Sequence, residues 1–255
     1  MVLGVVQGFT EFLPVSSSGH LVVGQELMGV NPPGQSFEIA LHVATLLSIV
    51  VVYRTRLATL IRDAAKRDPE AWRYIGLLVL ATVPAAVVGL GFKDRIEHLF
   101  DVPIVTGVCF LFTGVVLWTA KSALARGPEG QPGVGAALLM GLAQSVALLP
   151  GVSRSGMTTI TGLWTRVSPD EAAAFSFLML IPAVSGALLL AIPDLMNGDG
   201  GVAAGPLLAG AIAAAVTGVL AIRVFLVMLR RRSFHLFGVY LWILAAGFLL
   251  YLGRG

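Results

Sequence analysis

Charge is the first thing this sequence is short of. Asp, Glu, Lys and Arg make up 12% of the 255 residues against 56% hydrophobic ones, too little to coat a soluble domain of this size. Mean hydropathy is +0.88, and an integral membrane protein is expected. Cysteine is nearly absent: the single Cys109 lies in an apolar run, which excludes an intrachain disulfide and a cysteine metal cluster. Strand-period alternation is missing too, so the apolar runs read as helices and not as barrel strands. No basic region follows Met1, so no cleavable signal is expected, and with three residues before Gly4 the start reads as short. The net charge of +3 points to no nucleic-acid partner, because these cations have a topological task.

What is present is a set of long apolar runs and two broken ones. Met1 to Leu13 stops at Pro14, and as a helix it would reach only about 20 Å across a hydrocarbon core of about 30 Å. With the short piece beyond Val15-Ser16-Ser17-Ser18-Gly19-His20, residues 1–29 are expected to form a re-entrant helical hairpin, its backbone buried in protein or facing a wet cavity. A second broken unit is expected at about 134–165, and full spans at roughly 36–53, 74–92, 102–120, 171–192, 204–229 and 235–252. The fold class is therefore an all-α polytopic membrane protein with six transmembrane helices and two re-entrant hairpins. In that arrangement twelve Lys and Arg residues fall on one face, the six from Arg54 to Arg73 together with Lys121, Arg126, Arg166, Arg230, Arg231 and Arg232, and Lys93, Arg95 and Arg254 on the other. The positive-inside rule puts the richer face in the cytoplasm and both termini outside. Residues 54–73 are expected to form a short surface helix.

The chain repeats itself. Shifted by 137 residues, Gly4, Gln7, Val15, Ser16, Ser18 and Gly19 fall on Gly141, Gln144, Val152, Ser153, Ser155 and Gly156, all identical. Each half then holds one hairpin and three spans, an odd number, so the halves enter the membrane in opposite senses: an inverted-topology repeat of about 1–125 and about 133–255. This places a site where the broken helices meet, and leaves open what the site does.

The residues able to do chemistry gather at the two breaks. Gln7 and Glu11 stand at i and i+4 on one helix face, and a lone carboxylate there has no place in lipid. Beyond Pro14 come Ser16, Ser17, Ser18 and His20, a carboxylate, hydroxyls and an imidazole around one break, suited to nucleophilic and acid–base work. At the second break Pro150-Gly151 interrupts a helix, Ser153 or Ser155 can cap the next, and Arg154 and Thr158 follow. A helix start with a guanidinium binds phosphate well; the plainer alternative is an arginine snorkelling to a headgroup. Glu26, Glu38 and His42 are less favoured, and Asp94, Glu97, His98 and Asp101 read as a solvated outer loop.

Together the stretches resemble the signature of the undecaprenyl-diphosphate phosphatase (bacitracin-resistance) family. The resemblance lies in Gln7-Gly8-Phe9-Thr10-Glu11 followed by Phe12 to His20, and in Pro150-Gly151-Val152-Ser153-Arg154-Ser155-Gly156-Met157-Thr158. It implies hydrolysis of a polyprenyl diphosphate to the monophosphate in a bacterial inner membrane, with the site opening to the periplasmic face and a divalent cation, Mg²⁺ or Ca²⁺, assisting. Catalysis is expected from Glu11, Ser17, His20 and Arg154, and substrate binding from Gln7, Ser16, Ser18, Ser153, Ser155 and Thr158. Glu11 would hold the metal or act as base. Ser17 is the preferred nucleophile with His20 as its acid–base partner, His20 itself or a water being the alternatives. Gln7 stands where the family pattern has Glu or Gln, which weakens any scheme with two carboxylates on one metal. Besides lipid substrate and bilayer, a homodimer is left open. The competing reading is an inverted-repeat transporter or flippase for a phosphorylated lipid or small anion.

Overall fold

The computed structural model describes residues 1–29, 35–126, 130–196 and 204–254; the side chain of Glu38 lies outside the described residues. In chain order the helices are α1 (Val2–Phe12), α2 (Ser17–Met28), α3 (Gln35–Ala65), α4 (Pro69–Gly91), α5 (Lys93–Phe100), α6 (Pro103–Trp118) and α7 (Ala120–Leu124) in the first half. The second half adds α8 (Val134–Val146), α9 (Arg154–Trp164), α10 (Pro169–Leu178), α11 (Leu180–Met196), α12 (Ala204–Arg230) and α13 (Leu236–Leu252). Among the described residues there is no strand, only an isolated parallel bridge between Gly130 and Val167.

Five helical stretches are long and apolar enough to cross a membrane: Ala40–Ala65, Pro69–Gly91, Pro103–Leu124, Pro169–Leu189 and Gly205–Arg230. The protein is a multi-pass, all-helical membrane protein. Three shorter apolar helices accompany these, α1, α8 and α13. The sixth expected span is α13, and its 17 residues reach about 25 Å.

The charged stretch 54–73 opens with a helical piece of its own: Tyr53 has non-helical dihedrals (φ −100°, ψ 17°), so α3 is two helical pieces joined at a kink, and the second ends at Ala65, short of the expected 73. Arg67, at φ 61°, turns the chain, and Asp68 caps α4 by accepting from the Ala71 N–H at 3.2 Å, with Pro69 in the first turn. The stretch read as a solvated loop coils into α5, which buries no residue. The fourth expected span runs from Pro169 to Leu189, with Met179 between α10 and α11 still helical in its dihedrals (φ −58°, ψ −25°). Pro182 lacks the N–H that would bond the Leu178 carbonyl.

The broken helices pack inward, α1 against α12 and α8 against α4, while α6 lies along α13. A side chain on Gly4 would strike the Gly210 carbonyl, and one on its repeat counterpart Gly141 would strike the Ala81 carbonyl. Glycine lets these backbones touch. Gly4→Val and Gly141→Val should each lower the melting temperature in detergent, by an overpacking cost of about 1–3 kcal/mol. Gly76→Ala, with nothing within 4 Å of the added carbon, should leave it unchanged or raise it. Equal melting temperatures for all three would dismiss the close-contact account.

An aromatic chain fixes the end of α1. Phe12, fully buried, meets Phe177 edge-on at 5.6 Å between centroids; Phe177 meets Phe225 at 4.9 Å, and Phe225 meets Phe234 at 4.8 Å. Such contacts each add about 0.5–1.5 kcal/mol beyond burial. They clamp the neighbour of Glu11 to the neighbour of Ser176.

Candidate active site

Both breaks are built on serine caps. Ser16 precedes α2 and its Oγ accepts from the Gly19 N–H at 3.2 Å; Ser153 precedes α9 and its Oγ accepts from the Gly156 N–H at 3.2 Å. Each cap also meets the serine two residues on, Ser16 with Ser18 at 3.2 Å and Ser153 with Ser155 at 3.3 Å. The breaks differ in where the backbone turns. In the second, Gly151 takes a positive φ of 91° at no steric cost, and Ser153 stays extended (φ −80°, ψ 114°). In the first, Ser16 itself sits at φ 67°, ψ 103°, a strained backbone for a residue with a Cβ.

One carboxylate joins the two breaks. Glu11, 8% exposed, accepts at Oε2 from Ser17 Oγ (3.0 Å) and Gln7 Nε2 (3.2 Å), and at Oε1 from Arg154 Nη2 (2.8 Å). Ser17 and Arg154 are 137 residues apart in the chain and one carboxylate apart in space. The Arg154 side chain is 14% exposed and its other terminal nitrogen donates to the Ser176 carbonyl at 3.2 Å. A buried carboxylate is tolerated here because a guanidinium, a hydroxyl and an amide all donate to it.

Other predicted residues stand around this centre. Ser155 donates across the breaks to the Leu13 carbonyl at 3.3 Å, satisfying an acceptor at the end of α1. Thr158 lies behind Arg154, donating to the Arg154 carbonyl at 2.8 Å and bonded to Ser176 Oγ at 2.5 Å. His20 is turned from Glu11: its nitrogens bond the Ser16 carbonyl (2.8 Å) and the Tyr240 hydroxyl (2.7 Å). His42, on α3, is in the cluster, with Nε2 at 3.3 Å from Gln7 Nε2 and 3.6 Å from Glu11 Oε2.

His42, disfavoured from the sequence, and Ser176, unnoticed in it, thus belong to the site, as does Thr113 of α6. The Thr113 hydroxyl donates to the Gly151 carbonyl (3.0 Å) and accepts from the Ser153 N–H (3.3 Å), pinning the second break. Each stands on a helix outside the break it serves, 22 to 40 residues along the chain from the group it meets. The two halves are chemically unequal: Glu11 corresponds to Leu148 and Ser17 to Arg154. Gln144, the counterpart of Gln7, is buried with both amide atoms unpartnered among the described residues. No three His, Cys, Asp or Glu side chains come together there to hold a metal.

The Glu11–Arg154 bond gives Arg154 a directional role. Arg154→Lys keeps the charge but loses the planar fork that serves Glu11 and Ser176 at once, so turnover should fall roughly 10- to 100-fold. Wild-type turnover in the lysine variant would show that a point charge suffices.

The family model described as bacitracin resistance protein BacA matches residues 1–247. The undecaprenyl-diphosphatase of Desulfosudis oleivorans is 39% identical over 270 residues, covering 99% of this chain and 97% of the relative. That of Carboxydothermus hydrogenoformans is 36% identical over 264 residues, with 100% and 97% covered. That of Salinibacter ruber is 39% identical over 258 residues, with 96% and 95% covered.

Proposed function

The chain belongs to the bacitracin resistance protein BacA family, and from that membership we propose that it is a membrane phosphatase that hydrolyses undecaprenyl diphosphate to the monophosphate and phosphate. It thereby returns the lipid carrier to cell-wall synthesis. The observation that carries the chemistry is the Ser17–Glu11–Arg154 chain of hydrogen bonds at 3.0 and 2.8 Å.

In this reading the terminal phosphate enters between the breaks, held by Arg154 and the N–H groups at the start of α9, with Ser16, Ser18, Ser153, Ser155, Thr158 and Gln7 shaping the pocket. Ser17 Oγ attacks the terminal phosphorus and gives its proton to Glu11 Oε2; the bridging P–O bond breaks, and the lipid monophosphate leaves with the electron pair and takes that proton from Glu11. Water then attacks phosphoserine, one water proton restores Ser17, and phosphate departs. Arg154 offsets charge on the phosphoryl oxygens, where positioning and electrostatics carry most of the catalysis. The proton is assigned to Glu11 because Glu11 is the partner of Ser17, whereas both nitrogens of His20 are engaged elsewhere.

A divalent cation fits this site in the sparse manner of Mg²⁺, which takes one or two carboxylates with substrate phosphates and waters. Glu11 would hold it, with the Gln7 amide and Ser17 beside it; a Ca²⁺ cage of protein oxygens has fewer donors here. Bound, it would withdraw charge from the phosphoryl oxygens.

The finer architecture belongs to the same proposal: six crossings, two re-entrant hairpins, and inverted repeats of about 1–125 and 133–255. The packing of α1 on α12 and of α8 on α4 supports it, because these contacts exchange under the repeat. The basic end of the bundle gathers Arg56 with Glu171 (2.6 Å), Arg230 with Asp170 (2.9 Å) and Arg126 over Trp164, supporting a cytoplasmic placement of that end. The site then opens to the outer face of the inner membrane, and a homodimer is compatible with the exposed apolar helix faces.

Transport of a phosphorylated lipid would leave the Ser17–Glu11 bond without a task. Purified protein in detergent with Mg²⁺ should release phosphate from undecaprenyl diphosphate. A transporter, lacking a second compartment, would release none.

A further inference from the structure

His20 is held more tightly than a proton shuttle needs. The Ser16 carbonyl can only accept, so Nδ1, 2.8 Å from it, carries the proton. Nε2 of the neutral ring is then an acceptor, and the Tyr240 hydroxyl 2.7 Å away donates to it. The two rings are nearly parallel, 7° apart with centroids 5.8 Å from one another, and Phe110 meets the imidazole edge-on at 5.5 Å. The Ser16 carbonyl sets the tautomer, while Phe110 of α6 and Tyr240 of α13, far from α2 in sequence, set the ring's angle and position.

The object of this hold is the Ser16 carbonyl. It accepts twice from His20, from the backbone N–H at 3.2 Å and from Nδ1, and it belongs to the residue whose φ of 67° is strained. Such a conformation persists only where its surroundings over-determine it. The next residue is Ser17, aimed by that turn at Glu11. The second break makes the comparison: there the positive φ falls on Gly151, which needs no support, and Met157 occupies the place of His20. The clamp exists only at the break that carries the attacking hydroxyl.

We propose that Tyr240 is a positioning residue for the reaction, acting through His20 to hold the strained Ser16 turn that presents Ser17 to Glu11. The proposal rests on the phosphatase reading above. Loss of one neutral hydrogen bond to the ring should misplace Ser17 while Arg154 and the N–H groups at the start of α9 still hold the phosphate.

Tyr240→Phe should lower kcat roughly tenfold and leave KM for undecaprenyl diphosphate unchanged. In ¹⁵N-histidine spectra recorded without substrate, the wild-type His20 should be the Nδ1–H tautomer, and its Nε2 resonance should move in Tyr240→Phe. His20→Asn puts an amide N–H where Nδ1–H stood and should stay within about tenfold of wild type, whereas His20→Gln, reaching only the Nε2 position, should lose about a hundredfold or more. Full kcat in Tyr240→Phe overturns the proposal alone, as does an Nε2–H tautomer. Equal inactivity of His20→Asn and His20→Gln also overturns it, by making the ring itself the acid–base group. A wild type that releases no phosphate overturns the phosphatase reading and this proposal with it, while the substrate-free spectra still decide whether Tyr240 bonds His20.

Discussion

Replacing Ser17 by alanine is expected to stop phosphate release, by about a thousandfold or more, while substrate still binds. The hydroxyl stands 3.0 Å from Glu11 Oε2 and is only half-buried, so it can be both deprotonated and reached. Its neighbours are committed to other work. Ser16 caps α2 and bonds Ser18, so Ser16→Ala should cost about 0.5–2 kcal/mol of stability and loosen binding, and Ser18→Ala should mainly weaken binding. The measurements are single-turnover phosphate release and titration of each variant with substrate. A Ser17→Ala protein working at a substantial fraction of the wild-type rate would move the attack to a water or to His20.

Glu11→Gln is expected to cut turnover by roughly 10² to 10⁴ and also to destabilise the fold. From the sequence alone a glutamine at 11 looks harmless, because Gln7 already stands one turn away. The structure says otherwise: three donors converge on the Glu11 carboxylate, and a carboxamide turns one of its two acceptors into a fourth donor. Ser17 would lose its base, and Arg154, its side chain 14% exposed, would be left as a buried cation with its charge uncompensated, at a cost of about 3–5 kcal/mol. Thermal unfolding in detergent should show the drop, and added inorganic pyrophosphate should recover part of it by supplying the missing anion, without restoring turnover. If the variant kept its activity and its response to Mg²⁺, Glu11 would be a structural residue and the base would lie elsewhere.

Both expectations use residues that could be found by reading the chain, and both depend on partners that could not. Gln7 and Glu11 share a face because of helical period alone, and Ser16 and Ser153 cap helices because short hydroxyls ahead of a helix start do so wherever they occur. The repeat of Gly4, Gln7, Ser16 and Ser18 in Gly141, Gln144, Ser153 and Ser155 made it reasonable to look for one site at two breaks. The course of the helices was less legible. Arg54, Arg56 and Arg62 marked the end of a span, and the kink at Tyr53 falls directly before them; that a second helical piece ends at Ala65 and not at 73 depends on the turn at Arg67 and the Asp68 cap.

What the sequence by itself determined is everything that rests on near neighbours: the membrane class, the two broken units, the caps, and the presence of one carboxylate and one arginine where lipid would not tolerate either unpaired. What only the tertiary structure decided is which groups these meet. Glu11 meets Arg154 across 143 residues, Arg154 meets the Ser176 carbonyl, and His20 meets Tyr240 across 220. The reason is physical: local pattern follows from backbone geometry over a few residues, whereas a buried polar atom takes its partner from whichever helix the packing of small and aromatic side chains brings beside it.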